Sequence, residues 1–280
     1  MNLSAFTTFL AIAECGQLNR AAEQLHVTQS TVTTRLNNLE SELGQRLFHR
    51  RKSGAELTSA GFRFQRYAQL MTDTWRQARQ ETALPANIDA TFNLGCHSDL
   101  WPGLGERIFE YLHDRHPEIA ISSWSGEQPE LERWLGSGLI DAALGFSPSL
   151  HENRSEHKLG SDILQLVSTL PRELMRWDSD YIYVDSGEEF RKNHAASYPD
   201  GDTPTVTLGS ALWAHEYLLK KGGWGYLPLR LIGEDTRAGR IHCVSGAPQF
   251  KRNIYLVVNN DAAQNWPWLE NMLKASTTLI

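Results

Sequence analysis

Short side chains that both donate and accept hydrogen bonds cluster between residues 29 and 41: Gln29, Ser30, Thr31, Thr33, Thr34, Asn37, Asn38 and Ser41. Groups this small and uncharged can read the edge of a flat polar partner while the backbone comes close. Further on, Arg46, Arg50, Arg51, Lys52, Arg63 and Arg66 face only Glu56 between Gly44 and Arg66, a strip suited to neutralising phosphates. Catalytic patterns are missing by comparison. No GxSxG, no phosphate-binding loop and no GxGxxG after a strand occurs. His113 and His116 have a metal-like spacing, but Pro117 follows and no nearby cysteine completes a site, so neither metal nor cofactor is expected.

The elements around the polar cluster say how it must be held. Val32, Leu36, Leu39 and Leu43 recur at i, i+4, i+7 and i+11, one narrow apolar stripe on a helix that Thr28 caps and Gly44 stops. That stripe is expected in a core, with the polar side chains opposite. Before it, Leu18 to Leu25 predicts a short helix with Ala21 and Ala22 as a small packing face, and His26 to Thr28 make the turn. This is the plan of a helix-turn-helix that lays its second helix in a DNA groove; an ordinary helical hairpin is the alternative. Leu3 to Glu14 reads as a scaffold helix. After Gly44, short extended pieces at Leu47–Phe48 and at Leu57 flank a basic tip with Ser53 and Gly54 as turn, a wing that would lay Arg50, Arg51 and Lys52 along phosphates. A helix from Ser59 to about Thr82, capped by Thr58, carries Phe62, Phe64, Tyr67, Met71 and Trp75 on more than one face. At ~1.5 Å per residue it is roughly 36 Å long, more than a small head can cover, which points to a second copy.

Charge is divided along the chain. The net charge is −6, yet residues 1–84 hold ten Lys and Arg against seven Asp and Glu, and residues 85–280 hold seventeen against twenty-six. Cys15, Cys96 and Cys243 are expected as buried thiols in a reducing compartment. With no leader and no run near the ~18 apolar residues of a membrane span, a cytoplasmic protein is expected. Beyond residue 88, strands at Ala90–Cys96, Ile119–Trp124 and Ile140–Gly145 alternate with helices at Trp101–His113 and Pro129–Leu135. A connecting strand at Ile163–Thr169 leads to a second set, with strands at Tyr181–Val184, Thr205–Leu208 and Trp224–Leu227 and helices at Glu188–Ala196 and Ala211–Lys220. Asn253–Val258 returns and Trp266–Lys274 is a last helix. Two α/β lobes joined by two crossing strands predict a ligand cleft at the strand ends. Trp101, Trp124, Trp213 and Trp224 are expected in cores.

The run AAEQLHVTQSTVTTRLNNLESELGQRLFHRR followed by LTSAG resembles the winged helix-turn-helix of LysR-type transcriptional regulators, and LERWLGSGLIDAALGF (Leu131 to Phe146) and KKGGWGYLP (Lys220 to Pro228) resemble their effector domain. The resemblance implies a multidomain α+β chain: a winged helix-turn-helix over residues 1–58, a linker and dimerisation helix over 59–88, and a two-lobed α/β effector domain of periplasmic-binding-protein type over 89–280. Lobe I would take 89–162 and 259–280, and lobe II 163–258. DNA contacts are expected from Arg20, Gln29, Ser30, Thr31, Thr33, Thr34, Arg35, Asn38, Arg50, Arg51 and Lys52. Gln17 and Thr33 stand where the family often has serine. Effector contacts are expected from His97, Ser98, Asp99, Ser125, Gly126 and Ser147 of lobe I and Ser186 and Ser210 of lobe II. Asp99 and Glu127 would repel a second carboxylate, so the effector is expected not to be a small di-acid; Asp99 serving only its own helix dipole is the other reading. Partners implied are promoter DNA with an inverted repeat, one or three further copies of the chain, a small-molecule effector and RNA polymerase, but no membrane. Two alternatives remain: a regulator whose shortened second lobe has a vestigial cleft, and a binding protein or enzyme whose N-terminal helices only oligomerise.

Overall fold

The structure, a computed structural model, describes residues 3–51, 54–148, 151–173, 180–199, 201 and 203–277. Residues Met1–Pro85 and Ala86–Ile280 form two compact units.

In the first unit α1 (Leu3–Cys15), α2 (Leu18–Gln24) and α3 (Gln29–Leu43) close on Phe9, Ile12, Val32, Leu36 and Leu39, with Ala21 and Ala22 letting α2 approach. Thr28 caps α3 by accepting from the Thr31 N–H at 3.2 Å, and Gly44 ends it in the left-handed conformation. Leu43, expected in the stripe, is 41% exposed: it sits in the last turn, past the core residues the other helices supply. β1 (Phe48–Arg51) and β2 (Gly54–Leu57) pair antiparallel as the wing, Phe48 opposite Leu57. Two side-chain bonds seat it, since Glu40 Oε1 of α3 accepts from the Leu47 and Phe48 N–H groups at 2.7 and 3.3 Å.

α4 (Ser59–Glu81) starts where Thr58 Oγ1 accepts from the Gly61 N–H at 3.0 Å and donates to the Arg46 carbonyl at 2.7 Å. Phe64 then packs edge-on against Phe6 and Phe9, with Ala68 fully buried below it. Phe62, Tyr67 and Trp75 are left exposed on this unit.

In the second unit the strands run β3 (Ala90–Cys96), β4 (Ile119–Ser125), β5 (Ala142–Gly145), β6 (Arg154–Ser168), β7 (Tyr181–Val184), β8 (Val206–Leu208), β9 (Trp224–Pro228), β10 (His242–Cys243) and β11 (Phe250–Asn259). The helices between and after them are α5 (Glu106–Arg115), α6 (Gln128–Ser137), α7 (Glu188–Ser197), α8 (Ala211–Lys221), α9 (Leu229–Arg237), α10 (Asn260–Ala263) and α11 (Leu269–Thr277). One sheet runs β4-β3-β5-β11-β6-β9-β7-β8, with β10 also on β6. Pairs inside each lobe are parallel, β3 with β4 and β5, and β7 with β8 and β9. β6 and β11 run antiparallel to each other and link the lobes, β11 pairing with β5 and β6 with β9.

Several expectations are corrected. β6 begins at Arg154 rather than Ile163. The segment Trp101–Gly105 is an irregular turn, because Pro102 and Gly103 adopt non-helical angles, and α5 starts only at Glu106. α9 went unforeseen. Trp224 is buried and Trp266 and Trp268 lie in the lobe I core, but Trp101, Trp124 and Trp213 are exposed. Cys96 is buried, which pushes its thiol up to about 12, whereas Cys15 is half-buried and Cys243 exposed.

A Cβ added at Gly61 would lie 2.1 Å from the Leu47 carbonyl oxygen, where backbone meets backbone and no side chain can yield. Gly61→Ala is therefore expected to destabilise the head by about 1–3 kcal/mol. Urea unfolding followed by near-UV dichroism checks this, and an unchanged midpoint would contradict it.

Candidate nucleic-acid interface and interlobe cleft

With Val32, Leu36 and Leu39 buried, α3 presents Gln29, Ser30, Thr34, Asn37, Asn38 and Ser41 as exposed residues, and Thr31, Thr33 and Arg35 as half-buried flanks. Thr28 Oγ1 lies 2.8 Å from both Ser30 Oγ and Thr31 Oγ1, so the first turn is preset by its own hydroxyls. Arg35 turns from the flank of that face toward α1, where its Nη1 meets Thr8 Oγ1 at 3.5 Å. Arg20 is exposed on α2. On the wing Arg51 pairs with Glu56 at 3.3 Å, both more than half exposed, a contact too wet to contribute much stability. Lys52 and Ser53 lie outside the described residues, as does the Arg50 side chain.

The second unit holds a cavity of about 260 Å³ between its lobes, lined by His97, Glu127, Phe146, Ser186, Arg191 and Arg252 among others. Loops at strand ends position these groups, as the alternation of parallel strands and helices requires. Asp99 is only 1% exposed and reaches across the cleft: its Oδ1 accepts from Ser210 Oγ at 2.7 Å and its Oδ2 from the Ala211 N–H at 3.1 Å. The carboxylate thus sits on the N-terminus of α8, a helix of the opposite lobe, where unpaired N–H groups and the helix dipole favour a negative charge. Neither sequence reading placed it there.

Below lie residues that sequence reasoning missed. Arg230 of α9 grips Asp162 of β6 with Nε at 3.0 Å and Nη2 at 3.1 Å, and also donates to the carbonyl oxygens of Asp99 and Pro102. Arg252, directly opposite Asp162 in the β6–β11 ladder, lies 3.6 Å from Asp162 and 3.9 Å from Asp99, with its guanidinium over the Phe146 ring. Burial pulls the Arg252 pKa down, and Asp162 and then Asp99 oppose that. His97 Nδ1 accepts from the Asp99 N–H at 3.2 Å, so its Nε2 donates to Glu127 Oε2 at 3.1 Å. Burial lowers the His97 pKa, with Glu127 and Asp99 opposing, and the ring bonds as a neutral group.

Of the expected effector residues, His97, Asp99, Ser147 and Ser186 line the cavity. Ser210 is committed to Asp99 and to capping α8, Gly126 is packed under the Trp134 ring, and Ser98 and Ser125 are not among the lining residues. Arg252, Arg230 and Asp162 carried no local signal, because isolated charged residues on a strand or a helix read as solvated positions.

Residues 3–62 match the family model of the bacterial regulatory helix-turn-helix protein, lysR family. Over 274 residues, 97% of this chain and 93% of the relative, the sequence is 26% identical to the HTH-type transcriptional regulator HdfR of Shigella boydii serotype 18, and equally to HdfR of Escherichia coli O139:H28. Among solved structures, CbnR, a LysR family transcriptional regulator, is similar with a TM-score of 0.75 at 17% identity over 100% of this chain and 99% of that one. Vibrio fischeri DarR in complex with DNA is similar with a TM-score of 0.58 at 18% identity, again over 100% and 99%. At such identities the two structures speak for the fold.

Asp99→Ala would strand the Ser210 hydroxyl and the α8 N–H groups and take one carboxylate from beside Arg252. A loss of about 3 kcal/mol is expected. Guanidinium titration of the full chain checks it, and a loss below about 0.5 kcal/mol would show that the contact is not holding the lobes.

Proposed function

We propose that this chain, which belongs to the LysR-type DNA-binding transcriptional regulators, reads its promoter with the outer face of α3 and senses a small molecule in the interlobe cleft. The observation that carries the first part is the division of α3 into a buried apolar stripe of Val32, Leu36 and Leu39 and an exposed face of short hydrogen-bonding side chains. Gln29, Ser30, Thr33 and Thr34 would meet base edges in the major groove, with Asn38 near the far end of the contact. Arg20, Thr31, Arg50, Arg51 and Lys52 would hold phosphates, and Arg35 would steady α3 against α1 while its other donors reach the backbone.

Exposed Phe62, Tyr67 and Trp75 on α4 support a homodimer or a dimer of dimers, whose paired heads would span an inverted repeat. Closure of the lobes on the effector would alter head spacing and contact with RNA polymerase, provided the effector binds one assembly state better than the other. The curated relatives are transcriptional regulators, and we assign no reaction to this chain. Among the described residues no helix is long and apolar enough to cross a membrane, and the cytoplasm is the proposed place of action. One observation favours a second reading, a cleft with no effector: Asp99 already fills the anion-binding end of α8. A metabolite panel scored by thermal shift separates the two.

Two variants test the DNA contacts. Gln29→Ala should relax preference at one base position by ~1–3 kcal/mol. Arg50→Ala combined with Arg51→Ala should instead weaken binding to every sequence and flatten the slope of log K against log salt by ~0.9 per lost phosphate contact. Fluorescence anisotropy over a salt series reads both, and a double variant that binds like the wild type would remove the wing from the interface.

A further inference from the structure

The charges around the interlobe cavity narrow what it holds, an inference that rests on the cleft being the effector site. We infer that the ligand is a small zwitterion of the α-amino-acid class, its carboxylate held by Arg252 and Ser186 and its ammonium turned toward Glu127.

Three observations lead there. The N-terminus of α8, where a ligand carboxylate would otherwise dock, is already taken by Asp99, so the ligand's anion must sit elsewhere. Arg252 and Ser186 are 9% and 6% exposed, and both line the cavity. Arg252 Nε and Nη2 and Ser186 Oγ have no hydrogen-bond partner among the described residues, although buried donors as a rule are paired. Asp162 is gripped at both oxygens by Arg230 and Asp99 by Ser210 and the Ala211 N–H, so the two carboxylates near Arg252, at 3.6 and 3.9 Å, offset its charge without satisfying its donors. Ser186 also stands next to Gly187, the first residue ahead of the ten-residue helix α7, whose leading N–H groups add to the pull on an anion. A carboxylate there satisfies the orphaned donors together.

The remainder of the lining has the opposite sign. Asp185 is matched by Arg191 at 2.8 Å, whereas Glu127, with its side chain 64% exposed, bonds a His97 ring held neutral by burial, accepts the Glu130 N–H at the start of α6, and makes no salt bridge to Lys or Arg among the described residues. Glu127 thus brings to the cavity lining a negative charge that no Lys or Arg salt bridge offsets among the described residues, and a second carboxylate on the ligand would meet both it and Asp99. About 260 Å³ is the room of roughly nine water molecules, which suits a compact zwitterion and not a large aromatic.

The test uses the full chain, with the twenty L-α-amino acids, the N-acetyl and carboxamide forms of whichever binds, succinate, and a broad metabolite panel, read by thermal shift and calorimetry. At least one amino acid should raise the melting temperature, and its N-acetyl and carboxamide forms should each bind at least tenfold more weakly. Ser186→Ala should weaken the amino acid about tenfold without lowering the melting temperature of the free protein, because it removes a hydroxyl that is unsatisfied there. Glu127→Gln should weaken the amino acid but not its N-acetyl form. Equal binding of the blocked forms, tighter binding of succinate, or indifference to Ser186→Ala would overturn the proposal. If only a metabolite of another class binds, the zwitterion is wrong and the effector cleft stands; if nothing in either set binds, both fall.

Discussion

The antiparallel pairing of β6 with β11 constrains everything in the second unit. Its ten paired positions supply the strands that both lobes extend, β11 on the side of β5 and β6 on the side of β9. The ladder also fixes Asp162 opposite Arg252, so the guanidinium that lines the cleft has a buried carboxylate beside it. Such buried charges persist only where they are mutually compensated. Here compensation is shared: Arg230 arrives from lobe II and takes both oxygens of Asp162 as well as backbone carbonyls of lobe I. A change of lobe angle therefore has to rearrange this network.

The head obeys a different constraint, close backbone approach. Glu40 holds the start of the wing by its N–H groups, Gly61 lets α4 touch the Leu47 carbonyl, and Gly54 does the same for the wing against Gly16. Because the wing, α3 and α4 share these contacts, the basic strand and the polar face of α3 keep a fixed spacing within the unit. On the proposed reading, a phosphate contact of the wing would then set the register at which α3 meets bases.

Much of this was legible in the residues. The 3.6-residue stripe of α3, its Thr28 cap and the Gly44 stop located the recognition helix to within a residue, because local periodicity and capping determine it. Alternating strands and helices likewise disclosed two lobes and two crossing strands. The first half of β6 was hidden because residues 154–162 are polar on both faces, so the usual alternation is lost. α9 was masked by Pro228 and Gly233, which read as breakers although the proline merely opens the helix. The exposure of Trp101, Trp124 and Trp213 could not be read from residue type, since an aromatic signals burial only when its neighbours cover it. For Asp99 the obstacle was distance along the chain: its acceptor role joins it to Ser210, 111 positions away, and no local pattern records such a bond.

The claim on which the account stands is that α3, carried by a pair of heads, reads a specific symmetric site. Selection from a random double-stranded DNA library by the purified full chain, at near-physiological salt and with sequencing of the bound pool, tests it most directly. The account predicts enrichment of an inverted repeat whose half-sites lie about one helical turn, or a whole number of turns, apart. A bound pool with no enriched sequence, both alone and with metabolites added, would contradict it.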